Sequence, residues 1–145
     1  MDSITKVENE KKKEFLLRYR IATRKIESLE EQRESLIRTM RSAKAVRYSD
    51  MPHGNKQSDL SDYIVKLDEM INAITNTLAV KIQLQLEIEG NIVNMEDGLE
   101  CDILRKHYIE LKSFEEIAEE LQYTYRHIIR MHSSALEHFK INGSC

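Results

Sequence analysis

Between Ser113 and Leu136 the chain reads SFEEIAEELQYTYRHIIRMHSSAL, and this run restricts the fold more than any other. Ser113 with Glu116 three residues on is the S-x-x-E capping box, which closes two orphan amide donors and starts a helix at a defined residue. Ile117, Ala118 and Leu121 then share one helical face. Ala118 is small where a following helix must cross closely, Thr124 is placed to cap that second helix, and Ile128 supplies an apolar anchor ten residues after Ala118. Two short helices joined by a tight turn in this phase describe a helix-turn-helix, which lays its second helix in the major groove of duplex DNA.

The rest of the chain predicts helices as well. Of 145 residues 32% are charged, and only four are Gly and one Pro, a composition that points to an all-α protein of one or two small domains. The first residues, MDSITKVENEKKK, lack the apolar centre of a signal peptide. No stretch approaches the roughly 20 apolar residues that cross a bilayer. A soluble cytoplasmic chain with no membrane partner is expected. Cys101 and Cys145 have neither metal-ligand nor redox spacing and read as a packed small residue and a tail thiol.

The net charge of −3 conceals a division along the chain. Residues 1–47 carry 13 Lys/Arg against 8 Asp/Glu, residues 48–97 carry 3 against 9, and residues 98–145 carry 6 against 8. The segment expected to meet DNA is therefore mildly acidic. Because phosphate neutralisation supplies most non-specific affinity, an isolated copy should bind weakly and lose that binding in salt. Assembly would multiply it.

Phe15, Tyr19, Ala22, Ile26, Leu29, Leu36, Met40 and Ala43 follow a 4-3-4-3 spacing broken only by Arg33, the seam of a coiled coil about 42 Å long. A lone helix cannot bury such a stripe, so these positions predict oligomerisation. Residues 50–58, DMPHGNKQS, gather the only proline with Gly, Asn and Ser and read as a linker. Beyond it Leu60, Ile64, Leu67, Ile71, Ile74 and Leu78 repeat the spacing. From Leu78 to Ile88 apolar residues alternate strictly with others, which taken alone is a strand signature. Helix is the preferred reading, since no second strand-like run exists and Gln, Glu, Lys and Leu are good helix formers. The two long helices fold back as a hairpin, pair with another copy, or both. The Lys11-Lys12-Lys13 run is read as an exposed helix start or a phosphate contact.

A connection at Glu96-Asp97-Gly98 leads to a third element, Leu99 to Ile109, whose Leu99, Ile103, Leu104 and Tyr108 form a packing face. With Phe114, Ile117, Leu121, Ile128, Met131, Ala135 and Leu136 it yields a three-helix unit of about 40 residues, near the size at which a domain needs outside support. The expected organisation is a helical arm over 1–97 and a helix-turn-helix head over 98–145.

The segment HYIELKSFEEIAEELQYTYRHIIRMHSSALEHF resembles region four of bacterial sigma factors in its I-A-x-x-L pattern, β-branched anchor and late A-L pair, over Leu99 to Phe139. Two long charged helices ahead of such a unit are similar to small phage and prophage proteins of Gram-positive bacteria, the ArpU-like regulators of late genes. The resemblance implies a transcription regulator that binds double-stranded DNA in the bacterial cytoplasm; the seam adds the expectation of a homo-oligomer with a dimer favoured, and no motif calls for a cofactor. The resemblance places the recognition helix at Thr124-Tyr125-Arg126-His127. Arg126 and Arg130, four apart on the outward face, would meet bases or phosphates, Arg being suited to guanine O6 and N7. Thr124 and Ser133 would donate to phosphates, His127 would do either, and Tyr125 would reach DNA or pack on the preceding helix.

Three positions depart from that pattern. Leu111 and Gln122 stand where glycine is common, and if those turns need positive φ each costs about 1 kcal/mol. Ile129 occupies an outward site that is often basic, so it would touch a thymine methyl, pack, or meet a protein. Catalysis finds no support: His53, His107, His127, His132 and His138 form no metal-binding arrangement, and no phosphate loop or nucleophile elbow exists. The histidines read as surface or boundary residues. Two other functions remain open, an adaptor of RNA polymerase or of a sigma factor, and a small terminase-like DNA-packaging subunit.

Overall fold

The computed structural model describes residues 3–49 and 56–141, and among them every regular element is helical. Helix α1 runs Ser3–Ser49, α2 Lys56–Val93, α3 Gly98–Leu104, α4 Phe114–Leu121 and α5 Tyr125–His138. Helix α3 continues into a π turn over Arg105–Ile109. The first six residues of the expected linker, 50–55, together with His53 and Cys145, lie outside the described residues, and α2 begins two residues before Ser58. The alternating run 78–88 is helical throughout. Helical geometry turns its apolar residues to different sides: Ile88 is buried, while Ile82 and Leu86 are exposed.

The chain divides into two compact units, Met1–Ile21 with Lys81–Cys145, and Ala22–Val80. In the first unit Phe15, Leu16 and Tyr19 of α1, Ile88 and Ile92 of α2, Leu104 and Tyr108 of α3 and its π turn, and Ala135, Leu136 and Phe139 at the end of α5 form one buried cluster. Its packing runs across residue 98, where the sequence placed a boundary. A three-helix unit of this size has too little apolar surface to close a core alone, and here α1 and the end of α2 complete it. A second, smaller cluster joins Ile103, Ile117, Ala118 and Ile128, with Leu99, Phe114, Leu121 and Met131 packed against it.

Local chemistry defines the helix ends. The Asp97 carboxylate accepts from the amides of Leu99 (2.9 Å) and Glu100 (3.1 Å) and starts α3. The Cys101 thiol donates to the carbonyl of Ile92 at 3.3 Å, tying α3 to the end of α2. At the far end of α5 the Lys12 ammonium donates to the carbonyls of Leu136 (2.9 Å) and Glu137 (3.1 Å), so a cation from α1 satisfies acceptors that a helix C-terminus leaves open.

In the second unit the apolar residues are far less covered. Ala22, Thr23, Ile26 and Thr77 are its buried residues among those described, and Leu29, Leu36, Met40, Leu60, Leu67 and Ile74 are half-buried.

Candidate functional site

The site is built on α4, a short turn and α5. Ser113 Oγ accepts from the Glu116 amide and Glu116 Oε2 accepts from the Ser113 amide, both at 3.2 Å, which is the capping box expected from the sequence. Helix α4 ends with Gln122 at φ 61°, while the amide of Tyr123 donates to the Ala118 carbonyl at 2.9 Å and that of Gln122 to Glu119 at 3.3 Å. These are the two bonds of a Schellman turn, made with glutamine in the left-handed position that usually holds glycine. Leu111, after the π turn, has φ 60°. Both glycine substitutes are thus left-handed, as the turns required.

Thr124 Oγ1 accepts from the His127 amide at 3.2 Å and opens α5. Ile128 is fully buried in the small cluster with Ile117 and Ala118, and this orients the helix. At 100° per residue Arg126 and Arg130 then fall on the side away from Ile128, and both are exposed. Thr124 and Tyr125 are exposed, while His127, Ile129 and Ser133 are half-buried. The Tyr123 and His127 rings lie 4.9 Å apart beside the helix start.

Within residues 98–139 charge pairing leaves α5 with the unpaired cations. Lys106 and Lys112 both donate to Glu120, whose carboxyl these two hydrogen bonds pull down to about 2. Arg105 pairs with Glu89 at 3.4 Å and reaches Glu110 at 3.9 Å. Arg126 and Arg130 have no ion-pair or hydrogen-bond partner among the described residues. Helix α4 presents the opposite sign, with Glu115, Glu116 and Glu119 exposed.

The inner side of the site holds polar contacts that the sequence reading missed. His132, read as a surface or boundary residue, is buried, and its Nε2 lies 2.7 Å from the Tyr108 hydroxyl. Burial pushes the imidazole down to about 4, so it meets the hydroxyl in its neutral form. His107 stacks on Phe114 with centroids 4.0 Å apart. Glu100, only 3% exposed, accepts from Ser134 Oγ and from His138 Nδ1, each at 2.7 Å, and this carboxylate raises the His138 pKa. The i, i+4 spacing of Ser134 and His138 was the available sequence signal, but nothing local pointed to a glutamate 34 residues earlier.

The residues expected to oligomerise are placed unevenly. Phe15 and Tyr19 are buried inside the first unit, Phe15 with its ring centroid 6.3 Å from that of Phe139 and Tyr19 under the Lys81 ammonium at 5.5 Å. Neither is open to another copy. Ala22 and Ile26 are buried too, and Leu29, Leu36 and Met40 are half-buried. Most of the exposed large aliphatics lie on α2, with Ile4, Val7 and Ile21 exposed on α1.

Among the described residues no cluster of His, Cys, Asp and Glu is arranged to hold a metal ion, and no helix is long and apolar enough to cross a membrane. Comparison with family models, with curated proteins and with solved structures finds no match.

Proposed function

We propose that this chain is a DNA-binding transcription regulator of the phage or prophage kind, in which α4, the turn and α5 act as a sigma region-four-like helix-turn-helix and the long helices join copies of the chain. The observation that carries this reading is the pair Arg126 and Arg130, one helical turn apart, exposed and unpaired, on a helix whose opposite side is anchored by Ile128. A duplex supplies what these groups lack: guanine O6 and N7 accept two bonds from one guanidinium, and phosphates accept from Thr124, Tyr125, Ser133 and His127. With only two free arginines on the face, each head binds weakly, and linking heads makes the second contact intramolecular, worth roughly 10²–10⁴ in avidity. The test is selection of bound genomic fragments at stated salt, followed by gel shift with Arg126→Ala/Arg130→Ala. Recovery of a common site whose binding needs both arginines is expected, and site-specific binding unaffected by their loss rejects the assignment.

A second reading draws on the acidic side of α4. Exposed Glu115, Glu116 and Glu119 repel phosphates and suit a basic protein surface, as an adaptor of RNA polymerase or of a sigma factor would need. Capture of polymerase without any gel shift at low salt selects that alternative. A terminase-like packaging subunit is separated by solution mass, since it forms a ring of many copies.

A further inference from the structure

Over the second compact unit nine residues of α2, all apolar but Thr77, form three adjacent heptad columns, while Val65 and Val80 lie exposed outside them. Tyr63, Met70 and Thr77 form one and are half-buried or buried; Leu60, Leu67 and Ile74 form the next and are half-buried. Ile64, Ile71 and Leu78 form the third and are 48%, 42% and 43% exposed. At 100° per residue the three columns span about 100°, with Asp62, Lys66, Glu69 and Asn76 on the other side of the helix. A helix that pairs with one other helix needs two apolar columns, whereas a helix inside a bundle needs three. Among the described residues the third column is the most exposed of the three.

We infer that a second copy of this chain covers the Ile64, Ile71 and Leu78 column, so that the 22–80 units of two chains form a four-helix bundle. The inference rests on the assembly part of the reading above and names the face that part uses. Charge identifies the occupant. Residues 22–49 carry seven basic and four acidic side chains, and residues 56–80 carry two basic and four acidic, so α2 of one copy finds its complement in α1 of the other. The strip from Leu60 to Leu78 rises about 27 Å, and two helices about 10 Å apart present on the order of 500 Å² in projection, which approaches the about 800 Å² of accessible surface that a stable dimer buries per partner.

Sedimentation velocity of the full chain without DNA tests this. The wild type is expected at twice the 17.1 kDa chain mass. Ile64→Glu/Ile71→Glu alters side chains that are nearly half exposed in the single chain, so helicity by circular dichroism stays unchanged while the dimer dissociates at least about 100-fold more readily. Asn76→Glu, on the polar side, leaves the dimer intact. A wild-type monomer at tens of micromolar overturns the inference, and so does a double variant that keeps the dimer mass. Gel shift on the same samples separates the two conclusions: a wild-type dimer that binds no DNA removes the regulator reading and keeps this interface, and a monomer that binds a specific site does the reverse.

Discussion

The Lys12 ammonium donates to the carbonyl of Leu136 across 124 residues of sequence, and with Phe15 against Phe139 it makes the start of α1 part of the unit that holds α5. Residues 98–145 excised alone are therefore expected to lose fixed tertiary structure, because Leu104, Tyr108, Leu136 and Phe139 lose the side chains of α1 and α2 that cover them. Near-UV circular dichroism of that fragment checks this, and a cooperative native-like melt would contradict it. In the full chain Phe15→Ala should cost about 3–5 kcal/mol and Lys12→Met about 1 kcal/mol by urea titration.

Gln122 has φ 61° in a turn that glycine would hold without steric cost. Gln122→Gly should raise stability by up to about 1 kcal/mol, seen as a higher urea midpoint at unchanged slope. Leu111→Gly relieves a similar strain at φ 60° but removes a side chain packed on the main cluster, so its net effect should be smaller or destabilising. Stabilisation by the Leu111 change larger than by the Gln122 change would show that this weighing of strain against burial is wrong.

Loss of Arg126 alone should weaken specific binding by about 1–3 kcal/mol and relax sequence preference at one base position, if it reads guanine. If Arg130 meets phosphate, its alanine variant should weaken all sequences alike and reduce the slope of log affinity against log salt by about 1. Paired titrations at several salt concentrations distinguish the two roles.

Two histidines predict opposite responses to pH. His132 is held down to about 4 when folded, against about 6.5 when unfolded, so its share of stability is full above the unfolded value and disappears as pH falls from about 6.5 towards 4. That share is on the order of 3 kcal/mol and should be absent in His132→Phe. His138 is raised by Glu100, so its share is full below the unfolded value and disappears as pH rises through the raised folded value. Urea midpoints across pH 4 to 8 should show the acid-side loss in the wild type, and His138→Gln should flatten the change on the neutral side.

The local features of the site were legible in the sequence because each depends on a few consecutive residues. The capping box at Ser113 and Glu116, the cap at Thr124 and the anchor at Ile128 follow from spacing and side-chain chemistry, while the left-handed turns at Leu111 and Gln122 were expected only from the resemblance to the sigma-like pattern. The Phe15–Met40 periodicity was equally legible as a face to be buried, yet spacing reports only that a face needs cover and is silent about what covers it. Phe15 and Tyr19 found theirs within the same chain. The pairs Tyr108 with His132 and Glu100 with His138 were invisible for a related reason, since a buried hydrogen bond joins residues that only folding brings together.

By itself, then, the amino-acid order determined the helical class, the cap and turn positions, and which side of α5 faces away from its anchor, because backbone sterics and helical periodicity act over one or two turns. Tertiary structure alone decided that α1 and α2 complete the core around α5, that three of the basic side chains before α5 are used in ion pairs while Arg126 and Arg130 stay free, and that His132 lies inside. Those outcomes depend on desolvation and on charges meeting across space, and neither can be evaluated until distant segments are packed together.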